Sequence, residues 1–174
     1  LEADVRRLII QHLLPLVFAL VPAAVAVLVA ASIPADAQRY YIQRVRISAI
    51  DWLILGMGTL LFVTQTLLVR RALKWQGDGF DEGPDPWLTH LAQAAEWFPL
   101  LGLIGTVAAI LQTFNSTDFA PQEVIKRYAP AITATGSGLF MALINILPTW
   151  VAQVGRDLIR SLAGGGPPKR EGRA

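Results

Sequence analysis

Apolar residues fall into four blocks along the chain, at residues 8–31, 48–69, 97–114 and 128–153, with polar stretches between them. Each block approaches or exceeds the roughly 18–20 residues that an α-helix needs to cross a bilayer. The pattern predicts an all-α integral membrane protein with four transmembrane helices, the last two forming a pore-lining hairpin around a short polar loop at residues 115–123. Residues 1–75 then hold an N-terminal pair of membrane helices, and 76–96 a cytoplasmic loop and the start of an amphipathic helix. Residues 97–155 hold the hairpin, and 156–174 form a basic cytoplasmic tail rich in glycine and proline.

Within this frame the local signals are uneven. The first block follows Arg6 and Arg7 and contains Pro15 and Pro22, which membrane helices tolerate as kinks. Ala35-Asp36-Ala37 resembles a signal-peptidase site, but the uncharged run at 13–31 is longer than the usual signal core of about 7–15 residues, which favours a retained helix. Residues 32–47, with Arg39, Arg44 and Arg46, are too polar for hydrocarbon, and Tyr40 and Tyr41 suit an interface. In the second block Thr59, Thr64 and Thr66 are expected to bond back to their own helix. Asp51 lies near its end and is expected to reach water. Glycines and prolines break any period in residues 75–86, and the acids there lack calcium-loop spacing. Asp85-Pro86 reads as an N-cap followed by a first-turn proline. Trp97 and Tyr128 mark membrane interfaces, and Asn115-Ser116-Thr117 matches a glycosylation sequon.

Composition narrows the function classes. Hydrophobic residues make up 53% of the chain and cysteine is absent, which leaves a membrane protein without disulfide or thiol chemistry. His12 and His90 are isolated, so no metal-ligand set is evident, and no nucleophile–base constellation has motif support. The expectation is a protein that is not an enzyme and has no cofactor. The net charge of +2 comes mainly from basic residues at the ends of apolar blocks, which reflects membrane topology rather than nucleic-acid binding. Arg6, Arg7, Arg70, Arg71, Lys74, Arg156, Arg160, Lys169, Arg170 and Arg173 fall on one side. Arg39, Arg44, Arg46, Lys126 and Arg127 fall on the other, which places both termini in the cytoplasm.

The hairpin carries the candidate chemistry. At helical spacing its first arm aligns Pro99, Gly102, Thr106, Ala109 and Thr113. Its second aligns Ala131, Thr135, Gly138, Ala142, Asn145 and Thr149, with Phe140, Ile144, Leu147 and Val151 opposite. Such a stripe faces another helix or a wetted path, while the bulky side faces lipid. From spacing alone, close helix contact outweighs an ion path. Thr106 lies nine residues before Asn115 and Thr135 nine after Lys126, each about 13–14 Å inward from the outer ends of the hairpin, which predicts equal height near the middle of the bilayer. Asn145 is expected to join helices.

The run Pro99-Leu100-Leu101-Gly102-Leu103-Ile104-Gly105-Thr106-Val107, followed by Ala131-Ile132-Thr133-Ala134-Thr135-Gly136-Ser137-Gly138-Leu139-Phe140, resembles the paired signature of the MotA/TolQ/ExbB proton channel family. The resemblance implies that Thr106 and Thr135 are hydroxyl positions beside an ion path. It implies a homopentamer around a dimer of a single-span partner of the MotB/TolR/ExbD type, which supplies the ion-carrying aspartate. The localisation it implies is the bacterial inner membrane. Where the TolQ/ExbB branch has an intramembrane glutamate, this chain has Tyr128, Ala129, Pro130 and Ala131. The large cytoplasmic insertion of MotA-like members is absent, which argues against coupling to a flagellum. A non-conducting membrane scaffold and a small secondary transporter are the rival classes.

Overall fold

A computed structural model describes residues 9–74, 79–114 and 121–163. Arg6, Arg7, the Asn115-Ser116-Thr117 sequon and the tail beyond Ala163 lie outside the described residues, as do the side chains of Thr113, Lys126 and Arg127. Six α-helices are described: α1 Leu14–Ser32, α2 Ala35–Val45, α3 Ala49–Ala72, α4 Asp85–Ala95, α5 Trp97–Phe114 and α6 Pro121–Ala163. A π-helical turn, Ile9–Leu13, precedes α1. No β-strand occurs among the described residues. Four helical segments are long and apolar enough to cross a membrane, at Leu14–Ser32, Ala49–Ala72, Asp85–Gln112 and Tyr128–Leu162. Leu28, Leu60 and Ile132 are 68%, 71% and 73% exposed, a surface suited to hydrocarbon or to neighbouring subunits rather than to water. The chain is a multi-pass membrane protein.

The helix ends follow from local chemistry. Gln38 closes the end of α1: its Nε2 donates to Ala30 O in the last turn at 3.0 Å and to the O of the capping Ile33 at 2.8 Å. Pro34 opens α2, so the polar connector of the sequence is itself a short helix. Ser48 caps α3, its Oγ accepting from Asp51 N at 3.3 Å. Thr64 and Thr66 donate to Leu60 O and Phe62 O, each at 2.8 Å, as their place in an apolar helix predicts. Asp85 makes no side-chain cap, because Arg156 engages its carboxylate.

Helix α6 is the axis of the bundle and packs against every other helix, most extensively against α5. Its pairings with α3 run in the same direction, Asp51 with Thr133, Gly58 with Asn145 and Ala72 with Arg156, so the two are parallel. Its pairings with α5 run in opposite directions, Thr106 with Ala131 and Phe98 with Gly138, so the hairpin is antiparallel. At 43 residues α6 is about 65 Å long, well beyond the thickness of a hydrocarbon core. Being surrounded changes which of its faces is buried. Ile144 and Val151, on the side expected to meet lipid, are buried, and Ile132, Leu139, Leu143, Ile146 and Trp150 are exposed instead.

One end of the bundle is bolted by Arg156. Its guanidinium makes a two-pronged pair with Asp85, Nη1 to Oδ2 at 2.6 Å and Nη2 to Oδ1 at 2.7 Å. Nη2 also donates to Asp81 O at 2.9 Å and Nε to Ala72 O at 3.1 Å, and the group lies over the Phe80 ring. Beside it an apolar cluster of Val69, Ala72, Leu73, Leu88, Ala152 and Ile159 closes that end of the core.

Candidate functional site

The α5–α6 seam is built from glycine. A Cβ on Gly102 would lie 2.8 Å from Ala134 O, and one on Gly138 would collide with Phe98 O. Only hydrogen at these positions lets two backbones approach closely enough for short side chains to meet across the seam. The side chains that meet are Thr106 and Thr135, both half-buried, with their hydroxyl oxygens 2.6 Å apart.

Each hydroxyl has more than one acceptor. Thr106 Oγ1 lies 3.1 Å from Gly102 O and 3.3 Å from Ala131 O, while Thr135 Oγ1 lies 3.5 Å from Gly102 O. A hydroxyl carries one proton and two lone pairs, so the pair satisfies its bonds in either direction. Thr106 can donate to Thr135, which then turns toward Gly102 O; or Thr135 donates and Thr106 turns to Gly102 O or Ala131 O. Reversible direction is the chemical requirement for passing a proton without placing a charge on either residue.

The nine-residue spacing predicts equal height for these hydroxyls, and they meet. Their position along α3 differs from the mid-bilayer expectation: Thr133 and Ser137, which bracket Thr135, contact Asp51, the third residue of α3. The pair therefore stands within about one helical turn of the α2 end of that span. The hairpin projects past α3, so counting inward from its loop overestimates depth. Next to the pair is a cavity of about 280 Å³, lined by Arg44, Ser48, Gly105, Ala109, Gln112 and Pro130 among others.

The remaining small positions divide. Ala131, like Gly102 and Gly138, is buried, and its carbonyl faces Thr106; Pro99 is half-buried on α5; Ala109 is buried and lines the cavity. Ala142 sits in an apolar cluster with Ile54, Ala95, Phe98, Met141 and Ile144. Asn145 is fully buried against α3, its Nδ2 donating to Gly58 O at 3.2 Å and to Met141 O at 2.8 Å. The stripe Ala131, Gly138, Asn145 has a strict seven-residue repeat, and on a straight helix it drifts about 20° per heptad, which carries its far end away from α5 and toward α3.

The other face of the same α6 turn holds a polar cluster that hydropathy and spacing do not single out. Asp51 is fully buried rather than in reach of water. Thr133 Oγ1 donates to its Oδ2 at 3.0 Å, and Ser137 Oγ donates to its Oδ1. Tyr41 of α2 meets Ser137 Oγ at 2.5 Å, and burial, chiefly, holds its phenol above the ordinary value of 10.0, with the Asp51 charge adding to the rise and the Ser137 bond opposing it. The sequence signals for this cluster are the one-turn spacing of Thr133 and Ser137 and a carboxylate inside an apolar block. Neither says that the two will face each other.

A family model described as the MotA/TolQ/ExbB proton channel family matches residues 62–154, just over half of the chain. The match takes in the C-terminal part of α3 from Phe62, all of α4 and α5, and α6 through Val154, and with them Thr106 and Thr135; Tyr41 and Asp51 lie outside it. No curated protein and no solved structure matches the chain.

Proposed function

Because the chain belongs to the MotA/TolQ/ExbB proton channel family, we propose that it is the channel-forming subunit of a motor driven by the proton-motive force. It sits in the bacterial inner membrane with both termini in the cytoplasm. Copies of the subunit, five by family resemblance, surround a dimer of a single-span partner of the MotB/TolR/ExbD type. Protons pass along Thr106 and Thr135 to an acid on the partner helix, and their flow does mechanical work. Pro99, Gly102, Ala109, Ala131 and Gly138 are the small residues beside this path, while Ala142 and Asn145 of the same stripe pack toward α3 instead.

The observation that carries the proposal is the 2.6 Å contact between the two threonine hydroxyls, each with alternative carbonyl acceptors. Pro130 and its neighbours provide no carboxylate at the position where the TolQ/ExbB branch has one, so this side of the path relies on hydroxyls and on the partner's acid. The test is proton flux in vesicles holding the chain with a single-span partner. Thr106→Val and Thr135→Val should each depress partner-dependent flux at least about tenfold without preventing assembly. Equal flux in both variants and the parent removes their assigned role.

A scaffold without conduction is the second reading, favoured by the glycine-lined seam and by the bond from Thr106 to its own helix carbonyl. It predicts that both valine variants assemble normally and that subunit mass in detergent is unchanged by the single-span protein.

A further inference from the structure

The geometry points to Asp51 as a reversible protonation site, loaded through Tyr41 and Ser137 from the α2 side and separate from the Thr106–Thr135 pair. Its carboxylate is fully buried, and among the described residues no basic side chain pairs with it. The groups facing it are Tyr41 from α2, Ser48 at the head of its own helix, and Thr133 and Ser137 from α6. Arg44 of the connector lines the neighbouring cavity and stacks on Tyr40.

What distinguishes this cluster from a static hydrogen-bond network is that both donors have a second acceptor in place. Thr133 Oγ1 lies 3.1 Å from Pro130 O, and Ser137 Oγ lies 2.9 Å from Thr133 O. With Asp51 ionised, both hydroxyls donate to the carboxylate. The single proton of Ser137 is then committed, so Tyr41 is the donor in the Tyr41–Ser137 bond. With Asp51 protonated, its new O–H donates to Ser137 Oγ, and Ser137 turns its own proton to Thr133 O. Thr133 continues to donate to the other carboxyl oxygen. Every polar atom keeps a partner in both states, so neither protonation state leaves an orphaned group in the protein interior.

Loading balances simply. A proton reaches the Tyr41 oxygen, Tyr41 passes its own proton to Ser137, and Ser137 passes its own to Asp51 Oδ1. One proton enters and one ends on the carboxylate. The ligand is a proton rather than a metal cation, because the oxygens already touch at hydrogen-bond distance and leave no gap for an ion between them. The site does not depend on conduction past Thr106 and Thr135.

Infrared difference spectroscopy of the full chain in lipid vesicles, cycled in pH, tests this. The expected result is a protonated-carboxyl band that appears and disappears reversibly and is missing in Asp51→Asn. In Ser137→Ala the band should persist with a displaced midpoint, and in Tyr41→Phe its response to a pH jump should slow about tenfold or more. Identical spectra for the parent and Asp51→Asn overturn the assignment, as does a band that follows sodium concentration instead of pH. Should Asp51→Asn fail to fold, Ser137→Ala decides, and an unmoved midpoint there counts against the site.

Discussion

Thr133 and Thr135 stand two residues apart on α6 and serve opposite sides of it. Thr135 meets Thr106 of α5 at 2.6 Å, and Thr133 donates to Asp51 of α3 at 3.0 Å. Two residues correspond to about 200° of helical rotation, so one turn presents hydroxyls to both neighbours at the same height. A rotation or slide of α6 would disturb both contacts together.

The seam requires hydrogen at Gly138. Gly138→Ala should force α5 away from α6 through the contact with Phe98 O and destabilise the protein by about 1–3 kcal/mol. Gly136→Ala, with nothing near its added carbon, should leave stability unchanged or raise it slightly. Thermal unfolding of the two variants in detergent gives the comparison.

Arg156 holds three segments through a planar fork. Arg156→Lys keeps the charge but cannot reach Asp85, Asp81 O and Ala72 O together, and should cost about 2 kcal/mol. The side chain of Asp85 is 39% exposed, so part of its interaction is screened by solvent and the loss should fall moderately with added salt. Denaturation midpoints at low and high ionic strength measure both effects.

Tyr41 ties stability to alkaline pH. Its phenol is held above 10.0 in the folded chain, chiefly by burial. The proton is thus bound more tightly in the folded than in the unfolded state. The associated stability is fully present below pH 10 and is lost as pH rises through the raised value. Tyr41→Phe should remove this part of the alkaline decline while weakening the protein near neutrality by about 1 kcal/mol through the lost bond to Ser137. Unfolding curves between neutral and strongly alkaline pH should cross for the two proteins.

Gln65 is fully buried on α3, and neither end of its amide has a hydrogen-bond partner among the described residues. Gln65→Met, similar in volume and without polar atoms, should stabilise the isolated chain by about 1–2 kcal/mol. A lower unfolding temperature in the variant would show that the amide has a polar partner in the membrane.

Much of this architecture was legible from hydropathy. Four apolar blocks account for the four membrane-length helices, Asp85-Pro86 for the start of α4, and Thr64 and Thr66 for bonds made within one helix. These are local matters, settled by residues within a few positions of one another. The α2 helix was not legible, because its residues read as a polar connector and only Pro34 and the packing of Val45 reveal a short amphipathic helix.

The sequence by itself determined that Thr106 and Thr135 come to equal height, since Thr106 lies nine residues before Asn115 and Thr135 nine after Lys126 on the two arms of one antiparallel hairpin. Tertiary structure alone decided the fate of Asp51. Its exposure depended on the offset between α3 and α6, whose contacting residues lie more than 80 positions apart, and on α2 folding over their shared end. Hydropathy specifies which segments enter a bilayer but not the rotation or offset at which two of them meet. Those are set by the fit of small residues against the opposing helix, as at Gly58 of α3 against Met141 of α6, and in that arrangement an acid expected at the water's edge is buried.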